Sequence, residues 1–316
     1  MTPLVSILIP SYNATPWIAQ TLESALAQTW PHKEIIVVDD GSHDGSAEVT
    51  RTFTERGVKI FVQENRGASA ARNHAFRLSR GDYVQFLDAD DLLASDKIER
   101  QLARLLPAGP TAIATCAWAR FHADPAVARF TPDQLWQDFA PVDWLVGSWR
   151  QHAMMATAAW LVPRVLAERA GPWNPALGHN PVDDMEYFSR VLLAADRVLF
   201  CGDTRAYYRS GLSGSLSRQQ SDDAWRAIFA SFHLTADRLL AREDSPRTRL
   251  AAATALQRLI FEIYPRLPAE RATTARRVQA LGGTDIEPDA GPWRRRLQSI
   301  VGWPITKRLH DWWYRP

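Results

Sequence analysis

Four polar segments supply the residue types from which a binding or catalytic site can be built. Each follows a short apolar run, and together they comprise residues 10–13 (PSYN), 39–42 (DDGS), 65–67 (NRG) and 88–91 (DADD). A surface turn explains any one of them, since Asn, Asp, Gly and Ser favour turns. Ligands of parallel α/β sheets, however, gather at the carboxyl ends of the strands. We therefore expect the segments to converge on one site that includes Pro10, Tyr12, Asn13 and Gly67.

The densest segment contains three carboxylates, Asp88, Asp90 and Asp91. Acids ahead of a helix can serve simply as caps that oppose the helix dipole. Three carboxylates within four residues nevertheless repel each other unless a cation or a hydrogen-bond donor compensates them. Hard oxygen ligands suit Mg²⁺ or Mn²⁺, and such an ion also neutralises a diphosphate leaving group. The segment predicts a metal site at Asp88 and Asp90, with Asp90 as the direct ligand.

Asp40 and Arg72 are candidates for holding a nucleotide. The carboxylate of Asp40 can accept the imino proton of uracil or thymine, a contact that a purine does not return in the same way. Capping of the next helix is the alternative role for this residue. Arg72 follows Gly67 on a predicted helix near the strand ends, where an arginine can contact phosphate or base. A structural salt bridge is the commoner role for an arginine.

Asp184 is the candidate general base. On its predicted helix, Asp184 shares a face with Phe188 and Val191, so its side chain is expected to point inward. An inward carboxylate at the mouth of a cleft can take a proton from an acceptor hydroxyl. The neighbouring Asp183 is displaced by about 100° and is expected only to favour the helix N-terminus. The same favourable contact with the helix dipole is the alternative role for Asp184.

A Ser- and Gly-rich segment, residues 210–220, follows Tyr207, Tyr208 and Arg209. Its composition is typical of a flexible linker. The same composition suits a lid that closes over a bound donor and excludes water. Both interpretations are open at this point.

The elements that must position these residues alternate along the first hundred residues. Apolar strands are predicted at residues 5–9, 34–38, 58–62 and 83–87, and helices at residues 16–27, 45–53 and 68–78. Thr15 is the predicted N-cap of the first helix, ahead of Pro16. Nearly continuous apolar strands separated by helices indicate a buried parallel sheet of βαβ units. The fold class is therefore α/β, with a mainly parallel, Rossmann-like sheet flanked by helices.

The rest of the chain is predicted to extend the sheet and then to add helices. Strands are predicted at residues 112–118, 156–162, 197–201 and 205–208, and helices at residues 95–106, 163–170, 180–195, 222–242, 246–264 and 268–281. The first of these helices is expected to end at Pro107, and Asn180 is the expected N-cap of the third. A boundary near residue 220 divides the chain into a domain of residues 1–220 and a helical extension of residues 221–316.

Composition restricts the class of protein. The chain has 316 residues, of which 46% are hydrophobic and 23% charged, as in globular proteins. A formal net charge of +2 gives no reason to expect a nucleic-acid partner. Two distant cysteines, Cys116 and Cys201, indicate neither a disulfide framework nor a zinc site. Neither a signal peptide nor an apolar run of about 18 residues is found, so a cytoplasmic location is expected.

The tail, residues 291–316, contains six Lys and Arg against one Asp. Trp293, Leu297 and Ile300 follow helical spacing beside three of these arginines. Packing against the body of the protein is the default interpretation. The alternative is a basic, Trp-bearing anchor that lies peripherally on an anionic membrane, where lipid-linked acceptors are found.

Five motifs, taken in order, resemble those of the family 2 glycosyltransferases. They are residues 10–13, 38–42, 65–67 with 71–73, 81–91 and 183–190. The resemblance covers roughly residues 3–217 and implies a GT-A fold. It also implies inverting transfer from a nucleotide-diphosphate sugar, most simply a UDP-sugar, with Mn²⁺ or Mg²⁺ as the cofactor. Asp183 stands where many members have Glu, a departure that leaves Asp184 unchanged.

The resemblance assigns roles to individual residues. Asp40 would lie near the base, and Asp88 and Asp90 would lie near the ribose, the diphosphate and the metal. Asp184 would be the catalytic base. Residues 207–209 and 213–217 resemble the closing segment of the family, in which Arg209 would touch the diphosphate.

The expected function is sugar transfer to a glycan or lipid-linked acceptor, in the synthesis of a cell-surface polysaccharide or glycolipid. One alternative is a phosphatase-like hydrolase with an Asp-x-Asp motif, although such a motif usually follows the first strand rather than the fourth. A second alternative is a non-catalytic nucleotide-binding or membrane scaffold.

Overall fold

A computed structural model describes residues 2–178, 180–212, 219–288, 300 and 302–307. The strands of these residues, in chain order, are β1 (Val5–Ser11), β2 (Lys33–Asp39), β3 (Val58–Val62), β4 (Tyr83–Phe86), β5 (Leu92–Leu93), β6 (Ala112–Phe121), β7 (Val162–Pro163) and β8 (Arg197–Arg209). In the same residues, the central sheet has the order β3-β2-β1-β4-β7, in which only β7 is antiparallel to its neighbour. The predicted α/β class with a mainly parallel sheet is confirmed.

Helices cover the sheet and form the later part of the chain. They are α1 (Ile18–Leu26), α2 (Ser46–Arg51), α3 (Ala68–Leu78), α4 (Lys97–Ala108), α5 (Pro141–Gln151), α6 (Arg164–Ala170), α7 (Asp183–Ala194), α8 (Asp222–Arg242), α9 (Pro246–Ile263) and α10 (Pro268–Ala280). The bounds predicted for α3 and α8 agree with these. A second, smaller sheet has the order β5-β8-β6, with β6 parallel and β5 antiparallel to β8.

The register of the parallel strands brings the polar segments to one edge of the sheet. Ser11 at the end of β1 lies opposite Asp39 at the end of β2, and its carbonyl accepts the backbone N–H of Asp40 at 2.8 Å. On the other side of β1, Leu8 lies opposite Phe86 of β4. The segments that follow β1, β2 and β4 therefore emerge side by side, as predicted.

The helices beyond residue 220 share the main hydrophobic core. Ala236 of α8 and Ala251 and Ala252 of α9 are fully buried in the same cluster as the strands. Trp303, in the described part of the tail, packs edge-on against Phe261 with the ring centroids 4.9 Å apart. Packing against the body thus holds for this short segment, while most of the tail lies outside the described residues. The division of the chain at residue 220 stays a prediction.

Three predictions about strands were wrong. Residues 157–159 form a single 3-10 turn, and only Val162–Pro163 of the predicted strand 156–162 pairs with β4. The turn is stabilised by side chains, because Gln85 and Gln101 donate to the carbonyls of Ala158 and Ala159. The predicted pair of strands 197–201 and 205–208 is one continuous strand, β8, and β6 lies in the second sheet rather than in the central one.

Helix ends were predicted less well, since the expected caps serve other contacts. The hydroxyl of Thr15 donates to the carbonyl of Asp44, and α1 begins only at Ile18. The amide of Asn180 donates to Ser231, and α7 begins only at Asp183. Helix α4 continues through Pro107 to Ala108 rather than ending ahead of the proline.

Candidate functional site

The segment after β1 is hydrogen-bonded to the loop after β2, and it contains an exposed aromatic ring. The backbone N–H of Asn13 donates to Ser42 Oγ at 2.9 Å, and Asn13 Oδ1 accepts the N–H of His43 at 2.9 Å. Pro10 is buried inside β1, opposite Val38. Tyr12 is 50% exposed at the same sheet edge. Of the residues predicted here, Tyr12 and Asn13 are therefore exposed, although Asn13 Oδ1 already accepts the N–H of His43, and Pro10 is buried.

Asp40 organises the loop after β3. Its Oδ1 accepts from Gln63 Nε2 at 2.7 Å and from the N–H of Arg66 at 3.0 Å, and its Oδ2 accepts from the N–H of Gly67 at 2.8 Å. A carboxylate oxygen has two lone pairs, so Oδ2 keeps one for a further donor. Contact with a nucleobase stays a prediction for Asp40, and helix capping is not its role.

Two glycines allow this loop to approach β2 closely. Gly67 has φ 86° and ψ 161°, a backbone region that is essentially restricted to glycine. Gly41 also has a positive φ, and a Cβ there would lie 3.1 Å from the backbone nitrogen of Asn65. The glycines predicted from the sequence thus let the 39–42 and 65–67 segments pack against one another.

The carboxylates after β4 face in different directions. Asp91 is fully buried and accepts the backbone N–H of Arg209 at 2.8 Å, so it is a structural residue. Asp88 and Asp90 are partly exposed. Burial, followed by the charge of Asp88, raises the pKa of Asp90 to about 6. The predicted cluster of three acids is therefore a pair of accessible carboxylates in front of a buried one.

Arg209 does not occupy the position expected of a diphosphate ligand. Its side chain is enclosed between the rings of Trp17 and Phe121, at 4.4 and 4.3 Å from their centroids. Three of its N–H groups donate to protein oxygens, among them the backbone carbonyl of Asp90 at 2.8 Å. Only 2% of the residue is exposed. Arg209 thus stabilises residues 88–91 through buried hydrogen bonds, and the structure does not support its direct contact with a diphosphate.

Arg72 joins the two acidic regions of the site. Its Nη2 donates to Asp88 Oδ1 at 2.7 Å, and its Nη1 donates to Asp183 Oδ2 at 2.7 Å. The guanidinium lies 4.3 Å from the centroid of the Trp173 ring. Burial lowers the pKa of Arg72, but the charges of Asp183 and Asp88 outweigh burial and raise it above its usual range. Arg72 thus forms the structural salt bridge that was its alternative role, and its contact with phosphate or base stays a prediction.

The two acidic residues at the start of α7, Asp183 and Asp184, differ in burial and in their contacts. Asp183 is 8% exposed and accepts from both Arg72 and Ser69. Asp184 is partly exposed, and its Oδ1 accepts the backbone N–H of Met185 at 2.8 Å. Burial, followed by the charge of Asp183, raises the pKa of Asp184 to about 7. Asp183 is thus the more buried carboxylate, contrary to expectation, and the role of Asp184 as a general base stays a prediction.

A rigid aromatic layer supports the acidic pair. The ring of Tyr187 stacks on that of Trp173 with centroids 4.1 Å apart, and Phe86 of β4 contacts both rings edge-on. Asn73 exchanges two hydrogen bonds with the backbone of Trp173. Sequence reasoning missed Ser69 and Trp173, because each lies about 100 residues from its partner and local spacing carries no signal for such contacts.

The two accessible carboxylates fit one divalent cation as partial ligands. Within the described residues, no group of three or more His, Cys, Asp or Glu side chains is arranged to hold a metal ion. Mg²⁺ is usually bound by one or two carboxylates together with substrate phosphates and water. Burial, followed by the charge of Asp88, raises the pKa of Asp90, and a bound cation would favour the ionised form of this carboxyl. Asp90 and Asp88 could therefore hold a metal together with a diphosphate.

Two expectations lie outside the described residues. These are the 213–217 part of the closing segment and the arginines of the tail. In the part of the chain that is described, no helix is both long and apolar enough to cross a membrane.

Comparison with known proteins agrees with the geometry. Residues 6–141 match the family model described as Glycosyl transferase family 2. Over 103 residues the chain is 46% identical to the putative teichuronic acid biosynthesis glycosyltransferase TuaG of Bacillus subtilis. That match covers 32% of this chain and 41% of the relative, so it spans less than half of the relative's length.

Two solved structures share the fold over nearly the whole chain. Residues 1–349 of S. aureus TarS, in complex with UDP, superpose with a TM-score of 0.69 at 16% identity, covering 98% of this chain and 93% of that one. The mannosyltransferase PcManGT from Pyrobaculum calidifontis, in complex with GDP-Man and Mn²⁺, gives a TM-score of 0.53 at 19% identity, covering 100% of this chain and 89% of that one. These findings favour a glycosyltransferase over a phosphatase-like hydrolase or a scaffold. Residues 6–141 are thus similar to the family 2 glycosyltransferases, and the chain shares the GT-A fold of the two solved structures.

Proposed function

We propose that the protein is an inverting glycosyltransferase that moves a sugar from a nucleotide-diphosphate sugar to an acceptor hydroxyl. The observation that carries the proposal is the bridge formed by Arg72. Because this guanidinium bonds both Asp88 and Asp183, the carboxylate of Asp184 is held next to the acidic segment after β4. A base for the acceptor and ligands for the leaving group are thereby combined in one site.

The donor would lie along the carboxyl edge of the central sheet. Tyr12 offers an exposed ring on which a base can stack, and Asp40 offers a free lone pair for the imino proton of a uracil. UDP and GDP-Man in the two structural neighbours support a nucleotide-sugar donor, and we favour a UDP-sugar because of Asp40. When bound at Asp90 and Asp88, Mn²⁺ or Mg²⁺ would neutralise the negative charge of the diphosphate.

Asp184 would act on the acceptor. Its carboxylate takes the proton of the acceptor hydroxyl while that oxygen attacks the anomeric carbon from the face opposite the diphosphate. The bond between the anomeric carbon and the diphosphate oxygen breaks, and its electron pair leaves with the nucleoside diphosphate. A single displacement of this kind inverts the anomeric configuration. With a pKa of about 7, Asp184 is ionised in roughly half of the molecules at neutral pH.

The acceptor would be a glycan or a lipid-linked sugar of a cell-surface polysaccharide. The Bacillus relative, a putative teichuronic acid biosynthesis glycosyltransferase, supports this class of pathway. A cytoplasmic location, with peripheral membrane contact through the basic tail, belongs to the same proposal. Sedimentation with anionic liposomes before and after deletion from residue 291 tests the membrane contact, and equal sedimentation would exclude it.

A donor screen tests the proposed activity. UDP- and GDP-sugars are incubated with the protein in the presence of Mn²⁺, Mg²⁺ or EDTA, and the released nucleoside diphosphate is measured. We expect release from a UDP-sugar that requires the cation and is lost in Asp90→Asn. Asp203→Asn is the matched control, since its side chain is 58% exposed in an ion pair away from the proposed site. Failure of every nucleotide sugar to bind or react would contradict the proposal.

A further inference from the structure

A second cleft lies along the outer edge of β6, away from the donor edge of the central sheet. Its volume is about 400 Å³. We call it the β6 groove and define it by six of its lining residues, which are Trp118, Arg120, Arg129, Thr131, Asp133 and Trp136. The first two belong to β6, and the other four belong to the segment that connects β6 to α5. No residue assigned to donor, metal or base lines this groove.

The two tryptophans give the groove rigid aromatic walls. Trp136 stacks on Phe200 with the ring centroids 5.6 Å apart, and Trp118 meets Tyr208 edge-on at 6.2 Å. Each indole is partly exposed and is held from behind by a second ring. Aromatic walls with a few polar groups are typical of small-molecule sites, and a flat ring offers a surface to the apolar C–H face of a sugar. The walls therefore suit a pyranose ring.

The charge of the groove is positive and uncompensated. Arg120 lies over the rings of Tyr208 and Trp118, at 4.9 and 5.8 Å from their centroids. Neither Arg120 nor Arg129 forms an ion pair among the described residues, whereas Arg100 and Arg104 are paired with carboxylates. Asp133, the acid of the groove, accepts the N–H of Leu135 and so holds its own turn. Two guanidinium groups are left to receive a planar or tetrahedral anion.

A short connection joins the groove to the acidic segment. The guanidinium of Arg120 reaches the sulfur of Met154, with Nη2 3.3 Å from Sδ. Met154 lies just before the 157–159 turn, in which the carbonyl of Ala158 accepts from Gln85 of β4. Gln85 precedes Asp88 by three residues. Contacts and short chain segments thus lead from the groove to β4, the strand that ends just ahead of the acidic segment.

We propose that the β6 groove binds a negatively charged sugar residue of the acceptor, one that carries a carboxylate or a phosphate. This inference rests on the proposed function, because it names the acceptor class of that enzyme. The tryptophans contact the sugar ring, and Arg120 and Arg129 pair with its anionic group.

Binding of defined oligosaccharides tests the inference without turnover. The probes are a tetrasaccharide containing glucuronate, a phosphorylated glucan oligosaccharide and neutral cellotetraose, titrated against the full chain by calorimetry at 50 mM salt. We expect at least one charged probe to bind at least 10-fold more tightly than cellotetraose. The charged probe that binds more tightly identifies whether the groove recognises a carboxylate or a phosphate. The double variant Arg120→Gln/Arg129→Gln should lose at least 10-fold in affinity for that probe.

Control variants separate the groove from general electrostatics and from the donor site. Arg51→Gln/Arg80→Gln removes the same charge at exposed positions elsewhere and should leave probe affinity within 2-fold. Hydrolysis of the donor by water should be unchanged in Arg120→Gln/Arg129→Gln. Equal binding of charged and neutral probes, or charged-probe binding that survives the double variant, would overturn the inference. Absence of donor hydrolysis in the wild type would instead count against the proposed function alone.

Discussion

Removal of Arg72 is expected to be among the most damaging single substitutions in the site. The side chain is 6% exposed and lies between Asp183, whose side chain is 11% exposed, and Asp88, whose side chain is 26% exposed. Loss of one partner from a buried ion pair costs about 3–5 kcal/mol, because it leaves an uncompensated buried charge. The partial exposure of Asp88 places the expected loss of unfolding free energy for Arg72→Met near the lower end, at about 3 kcal/mol.

A double-mutant cycle measures the electrostatic part of this loss. Urea unfolding is followed for Arg72→Met, Asp183→Asn and the double variant, and the coupling free energy is obtained from the four midpoints and slopes. We expect a coupling of about 1.5–3 kcal/mol, since the second substitution removes the charge that the first one leaves unpaired. Arg56→Met, which breaks an exposed pair with Glu23, is the control and should change stability little. A coupling below about 0.5 kcal/mol would refute the bridge.

Three further results are expected. Because burial raises the pKa of Asp184 to about 7, kcat/KM should rise with pH between about 6 and 8, and a flat profile would exclude this group as the titrating base. The pKa of Asp184 is higher in the folded protein than in the unfolded chain, so ionisation of this carboxyl destabilises the fold. This loss of stability develops as the pH rises from the pKa of the unfolded chain, 3.8, toward the folded-state pKa of about 7. We therefore compare the free energy of unfolding of Asp184→Asn and wild type in urea at pH 4 and at pH 8. The difference between variant and wild type should shift by about 1–3 kcal/mol in favour of the variant at pH 8, a range that allows for the partial exposure of Asp184. Gly67→Ala should lower the free energy of unfolding by about 1–3 kcal/mol and weaken donor binding, because alanine does not tolerate this backbone conformation. Gly57→Ala, at a positive φ without nearby atoms, is the matched control and should leave donor affinity unchanged.

The features predictable from the sequence are those with a local signature. Buried strands and helices follow from apolar patterning, so the parallel sheet and the bounds of α3 could be predicted directly. The convergence of the segments after β1, β2 and β4 follows from parallel strand order. Gly67 was identifiable because it lies in one of the polar segments that follow a predicted strand.

The roles of the charged residues were not predictable in the same way, since they depend on contacts far along the chain. Arg72 meets Asp183 across 111 residues, and the N–H of Arg209 meets Asp91 across 118 residues. Helical periodicity also favoured Asp184 as the inward member of its pair. Because Arg72 compensates its charge, Asp183 occupies the buried position instead, which no periodicity can indicate.

Sugar transfer by Asp184→Asn is the most direct test of the central claim, that this carboxylate activates the acceptor. Asparagine keeps the shape of the side chain but cannot take a proton at neutral pH. With the donor identified by the screen, we expect the donor affinity of Asp184→Asn to lie within about 2-fold of wild type and its rate of transfer to fall by at least about 100-fold. Asp203→Asn, measured alongside, should retain full activity. Normal turnover by Asp184→Asn would contradict the claim.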